Sequence, residues 1–146
     1  MNATKNAGWR FVLIMLAAAA AMLGGWSGAQ AQSKERVVLM VSDDNPKNWT
    51  TAFNVVNNLT AAYGKGNVEI ELVAYSDGIN SLTFDSKVAS RIPGALERGA
   101  KIIACQNSMS RFKLSQGDMA PDISYVLTGV KHSIERQRQG WIAIRP

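Results

Sequence analysis

The sequence predicts an α/β fold, a three-layer α/β/α sandwich on a mainly parallel sheet of five strands. Two observations carry this. Short apolar runs alternate with amphipathic stretches of helical period along residues 36–146, the pattern of successive strand–helix–strand crossovers. The first run, Arg36–Ser42 (RVVLMVS), is almost continuously apolar, as suits a strand covered on both faces.

Residues 1–31 read as a cleaved secretory signal peptide ahead of a single domain at 32–146. Met1–Arg10 carries Lys5 and Arg10, Phe11–Leu23 is uncharged and apolar, and Ala29-Gln30-Ala31 supplies a small-x-small cleavage site after which the cut is expected. The apolar run falls short of the ~20 residues a bilayer span needs, so no stable membrane insertion is expected after cleavage. The expected location is outside the cytoplasm, in a bacterial periplasm. No cysteine near the cut and no Arg-Arg pair before the apolar run point to lipidation or twin-arginine export.

In the domain, Asp43-Asp44-Asn45-Pro46 is a helix start, with a side-chain oxygen to cap free N–H groups and proline in the first turn. Trp49, Ala52, Phe53, Val56 and Tyr63 then recur on one helical face until Gly64 stops the helix. Val68–Tyr75 alternates in its first half, with Glu69 and Glu71 opposed to Val68, Ile70 and Leu72, so this strand is expected nearer a sheet edge than the first. Asp85-Ser86 opens a second helix through Val88, Ile92 and Leu96, with Pro93 in it as a kink or first-turn residue and Gly99 as its stop. Lys101–Cys105 (KIIAC) is the third strand, followed by a short helix over Ser108–Phe112. Ile123–Leu127 is the fourth strand, Val130–Gln139 a basic helix and Trp141–Ile144 the last strand.

The formal net charge is +5, falls when Lys5 and Arg10 leave with the signal, and rests on scattered residues, so no nucleic-acid surface is expected. A single His and a single Cys make no usual zinc site, and no metal or other cofactor is expected. The chain has no P-loop, no G-x-G-x-x-G and no G-x-S-x-G. One cysteine cannot form an internal disulfide, so Cys105 is buried and inert, paired between chains, or kept for its reactivity.

In a parallel sheet the loops after the first, third and fourth strands can share one rim. Those loops carry Asp43 and Asp44, then Cys105 with Gln106, Asn107 and Ser108, then Thr128 and Gly129. A thiol just before a helix start meets backbone N–H groups that stabilise the thiolate, which makes Cys105 a candidate nucleophile. Unpaired cysteine is also among the most buried residue types, and a structural thiol stands beside that reading. Asp43 and Asp44 suit cap and dipole roles equally well. His132, off the Val130/Ile134 face, and Lys131, Arg136 and Arg138 read as a solvated helix surface.

The stretches at Val37–Leu59 (VVLMVSDDNPKNWTTAFNVVNNL), Val68–Ile79 (VEIELVAYSDGI), Gly99–Met109 (GAKIIACQNSM) and Gly129–Pro146, in this order, resemble the DsrE/DsrF-like family of small sulfur-relay proteins. The resemblance implies a five-stranded α/β/α sandwich, assembly as a homo- or hetero-oligomer, with a homo-oligomer expected here, and a cysteine after a core strand that carries sulfur as a persulfide. Cys105 matches that cysteine, with Asp43, Asp44, Gln106, Asn107 and Ser108 as the binding rim. The expected function is an exported sulfur carrier or transfer protein. With no second cysteine to resolve a persulfide, it is at most a sulfur-transferase-like carrier whose partner is a thiol-containing sulfur donor or acceptor protein. The alternative from a different class is a non-catalytic small-ligand-binding or oligomeric assembly module with Cys105 buried. A redox thiol forming an intermolecular disulfide is a third reading.

Overall fold

The computed structural model describes residues 34–146. The expected signal peptide and the expected cut after Ala31 lie outside the described residues. The strands are β1 (Glu35–Val41), β2 (Val68–Ala74), β3 (Lys101–Cys105), β4 (Ser124–Val126) and β5 (Ile142–Ile144). The α-helices are α1 (Pro46–Tyr63), α2 (Ile92–Glu97), α3 (Gln106–Arg111) and α4 (Gly129–Arg138), with short 3-10 segments at Ser76–Leu82, Ala89–Arg91 and Gln116–Asp118. All strand pairs are parallel, in the order β4-β3-β2-β1-β5. The expected fold class therefore holds: a five-stranded parallel sheet with helices packed around it.

Each strand sends alternate side chains to opposite faces. Val37, Leu39 and Val41 of β1, Ile70, Leu72 and Ala74 of β2, and Ile102 and Ala104 of β3 form the main core with Trp49, Ala52, Phe53 and Val56 of α1. Ile92 and Ala95 of α2 and Met109 of α3 join them. Helix α1 starts where proline and a polar cap predict it. The Asn45 side chain accepts the Lys47 N–H at 3.0 Å, Pro46 is the first helical residue, and the Gly64 N–H closes the helix on Thr60 O. Buried Trp49 donates its indole N–H to Asp43 O at 2.7 Å, so its one polar atom is satisfied.

The second face is thin. Its buried apolar residues are Val38, Val73, Ile103 and Trp141, and α4 lies across β1, β2 and β3 there on its way from β4 to β5 at the far edge. Two expectations change at this point. The strand Val68–Ala74 is the middle one of the sheet rather than nearer its edge, and the alternating glutamates misled because Glu71 is buried, at 1% exposure, in an ion pair. The second helix is a 3-10 turn followed by only Ile92–Glu97, since the chain from Asp85 to Val88 is spent in turns before Pro93 can start a regular turn.

Candidate functional site at the carboxyl edge of β3

Cys105 is the last residue of β3 and the cap residue of α3, so its side chain leaves the sheet where the ladder ends and free N–H groups begin. It points to the thin face, beneath the first turn of α4. The Gly129 N–H donates to Cys105 Sγ at 3.3 Å, and Sγ lies 3.8 Å from Leu127 O. Glycine at 129 allows this approach: a Cβ there would come within 3.1 Å of Tyr75 Cβ and 3.2 Å of Cys105 Cβ and Val73 Cγ1. Ser108 is buried, and its Oγ accepts the Ser76 N–H at 2.8 Å, which ties the β2 loop to α3. Ser76 has φ 51°, a left-handed conformation costing about 1 kcal/mol in a non-glycine residue, and the Ser108 bond holds it there. Asn107 joins the third loop, with its N–H on Leu127 O and its side-chain amide on Thr128 Oγ1, both at 3.1 Å.

Burial at 4% exposure works to raise the Cys105 pKa. The Ser108 hydroxyl and the backbone N–H groups of Gly129, Ser108 and Asn107 outweigh it and hold the thiol below its ordinary value. The Gly129 N–H from α4 is the donor in direct hydrogen-bond contact with the sulfur, and the start of α3 adds its polar groups on the other side.

Of the residues expected around the thiol, Asn107 and Ser108 take part, whereas half-buried Gln106 is the first residue of α3. The two aspartates are elsewhere. Strand β2 separates β1 from β3, and the Asp43 carboxylate accepts from the Asn45 N–H and the Asn48 amide, both at 3.1 Å, as the brace of the α1 start. Asp44 borders a separate cleft of about 290 Å³ with Asn80, Thr83 and Asp85.

The expectation of a solvated His132 and Arg136 is overturned. His132 Nε2 lies 2.7 Å from Glu71 Oε2, and Arg136 grips the same carboxylate with two prongs, Nε to Oε2 at 2.7 Å and NH2 to Oε1 at 2.8 Å. Lys101 Nζ stands 4.0 Å from Glu71 Oε1, and the Arg136 guanidinium stacks 4.9 Å from the Trp141 ring centroid. Burial pushes the Glu71 pKa up, but hydrogen bonds and charge from Arg136 and His132 hold it below the usual carboxylate value. Helix α4 thus faces the sheet with Gly129, His132, Ser133 and Arg136, and turns Val130 and Ile134 outward, at 46% and 43% exposure. The signal for this was the i, i+3, i+4, i+7 spacing of those four polar or small residues opposite an alternating glutamate strand. Among the described residues, no group of three or more His, Cys, Asp or Glu side chains could hold a metal ion.

The architecture is thus a parallel α/β sandwich with a single thiol at the carboxyl edge of a core strand. The sequence pattern of the DsrE/DsrF-like family matches residues 35–146, and the chain belongs to that family, which is linked to sulfur relay. The fold is similar to that of a protein of unknown function, MTH1491, from Methanobacterium thermoautotrophicum, at 32% identity and TM-score 0.73 over 77% of this chain and all (100%) of that one. It is also similar to a conserved protein of unknown function, BT1422, from Bacteroides thetaiotaomicron (18% identity, TM-score 0.61, 77% of this chain and 95% of that one). The ychN protein from E. coli shares the fold at 8% identity and TM-score 0.58, over 77% of this chain and 99% of that one. No curated protein matches the chain.

Proposed function

We propose that this protein is an exported sulfur carrier whose Cys105 accepts sulfur as a persulfide. The observation that carries the reading is the set of donors around a lone thiol, which favours its anion despite burial. The Cys105 thiolate attacks the outer sulfur of a donor persulfide. The new S–S bond forms as the donor's S–S bond breaks, the donor leaves as a thiolate, and the proton stays with the transferred sulfur. In the second half an acceptor thiolate attacks that outer sulfur and Cys105 leaves as thiolate. Both halves are redox-neutral, and neither needs a second cysteine in this chain. The Asn107 side-chain amide donates to Thr128 Oγ1 and so ties together the two loops beside the thiol.

The partners are a thiol-bearing donor or acceptor and further copies of this chain. Leu127, Val130 and Ile134, exposed at 68%, 46% and 43% beside the thiol loop, supply apolar surface for assembly. Export through residues 1–31 places the carrier in the periplasm.

Intact-mass spectrometry of the exported protein, before and after a low-molecular-weight persulfide, tests the reading. The expected result is a mass starting at Gln32 that gains sulfur, loses it on reduction, and gains none in Cys105→Ser. The 4% exposure of Cys105 favours a second reading, a binding or assembly module with a structural thiol. A native protein that takes up no sulfur and resists alkylation until unfolded decides for that reading.

A further inference from the structure

The thin face of the sheet poses a packing problem. Helix α4 turns both of its aliphatic side chains, Val130 and Ile134, to solvent and meets the sheet through Gly129, His132, Ser133 and Arg136. Burial of apolar surface therefore does little to fix where this helix sits. Its polar anchor is Glu71, buried on the middle strand and gripped by Arg136 and His132. From Gly129 to Arg136 the helix rises about 10 Å, and from Glu71 to Tyr75 the strand advances about 13 Å. The two ends of α4 thus match two stations on β2. The last turn sits on Glu71, and the first turn sits against Tyr75, Val73 and Cys105, where the Gly129 N–H meets the sulfur.

We infer that the Glu71–Arg136 pair is the positioning device of the thiol: by seating α4, it holds the Gly129 N–H on Cys105 Sγ from the other end of the helix. This rests on the reading of Cys105 as a working thiolate. Glu71 touches neither the sulfur nor any transferred atom, so it acts only through the helix. The groups facing it are Arg136 and His132 from α4 and Lys101 from β3. Those facing the sulfur are Gly129, Asn107 and Ser108. The second anchor of the last turn is consistent with this seat: Arg36 of β1 donates to Gln139 O at 2.7 Å, and Arg36 and Arg136 both lie over Trp141.

The test is the ionisation midpoint of Cys105, read from ultraviolet thiolate absorbance against pH with the corresponding Cys105→Ser protein as blank. This cysteine is the only one in the chain, so the signal is unambiguous. In Arg136→Leu the buried carboxylate loses its main partner and α4 loses its seat. The midpoint is expected to rise by about one unit, the worth of one hydrogen bond to the anion, which means about tenfold less thiolate below both midpoints. In Glu71→Leu with Arg136→Leu an apolar pair against Trp141 replaces the ion pair, a swap that cores often accept, and the midpoint is expected to return close to the parent value. Should Arg136→Leu fail to fold, Arg136→Lys keeps the charge, loses the two-pronged grip, and is expected to shift the midpoint upward by less. A folded Arg136→Leu or Arg136→Lys protein with the parent midpoint overturns the inference, and so does a double variant that stays as shifted as the single one. Sulfur loading separates the two claims. A parent that loads sulfur while the midpoint ignores Arg136 refutes only the positioning role, and a midpoint that moves in a protein that never loads sulfur refutes only the carrier.

Discussion

Gly129→Ala puts one methyl group into the closest helix–sheet approach beside the site. The new Cβ would stand 3.1 Å from Tyr75 Cβ and 3.2 Å from both Cys105 Cβ and Val73 Cγ1. None of these is the loose end of a flexible side chain. Two are atoms bonded directly to the sheet backbone, and the third belongs to a β-branched residue with no exposed surface. The sheet cannot yield, so the first turn of α4 must withdraw by a few tenths of an ångström to regain ordinary contact. Overpacking of this kind costs about 1–3 kcal/mol, and the better helix propensity of alanine returns at most ~1 kcal/mol of it. The expected net loss is about 1–2 kcal/mol of unfolding free energy. The same withdrawal lengthens a Gly129 N–H to Sγ contact that is already 3.3 Å, so the thiol pKa should rise toward the free value. Urea unfolding and the ultraviolet thiolate titration read the two effects on one sample. A variant as stable as the parent or more so, with an unchanged thiol midpoint, would refute the claim that close approach at residue 129 shapes the site.

Two further predictions concern other parts of the same face. Because the folded Glu71 pKa lies below its unfolded value, near 4.3, its ion pair adds stability that is complete above that pH and is lost as pH falls through the folded pKa. Glu71→Gln should cost about 3 kcal/mol at neutral pH, since it leaves Arg136 and His132 without their anion. The gap between parent and variant should close as acid unfolding is followed from above pH 5 downward, and a gap constant with pH would sink this account. Separately, Val130→Glu with Ile134→Glu should leave the fold intact, because both side chains are exposed. If copies of this chain assemble through that stripe, sedimentation should show a smaller species for the double variant, whereas an unchanged mass would place assembly elsewhere.

The residues themselves made much of the fold legible. Short, β-branched apolar runs at Val37–Val41 and Ile102–Cys105 read as strands covered on both sides, and Asn45-Pro46 with Gly64 brackets α1 because capping and helix arrest are local chemistry. Cys105 as a strand-end thiol at a helix start was legible for the same reason. The tertiary structure alone decided which strands are neighbours. The order β4-β3-β2-β1-β5 makes the glutamate-bearing strand the middle one and moves Asp43 and Asp44 away from the thiol loop. It also decided which way α4 faces. Periodicity gives a helix two faces, and burying the aliphatic one is the usual solution. Here a carboxylate buried on β2 outweighs two exposed aliphatic side chains, because an unpaired charge inside a protein costs far more than a valine and an isoleucine left in water. That preference depends on Glu71 and Arg136 meeting across 65 residues of chain, a pairing that local sequence has no means to express.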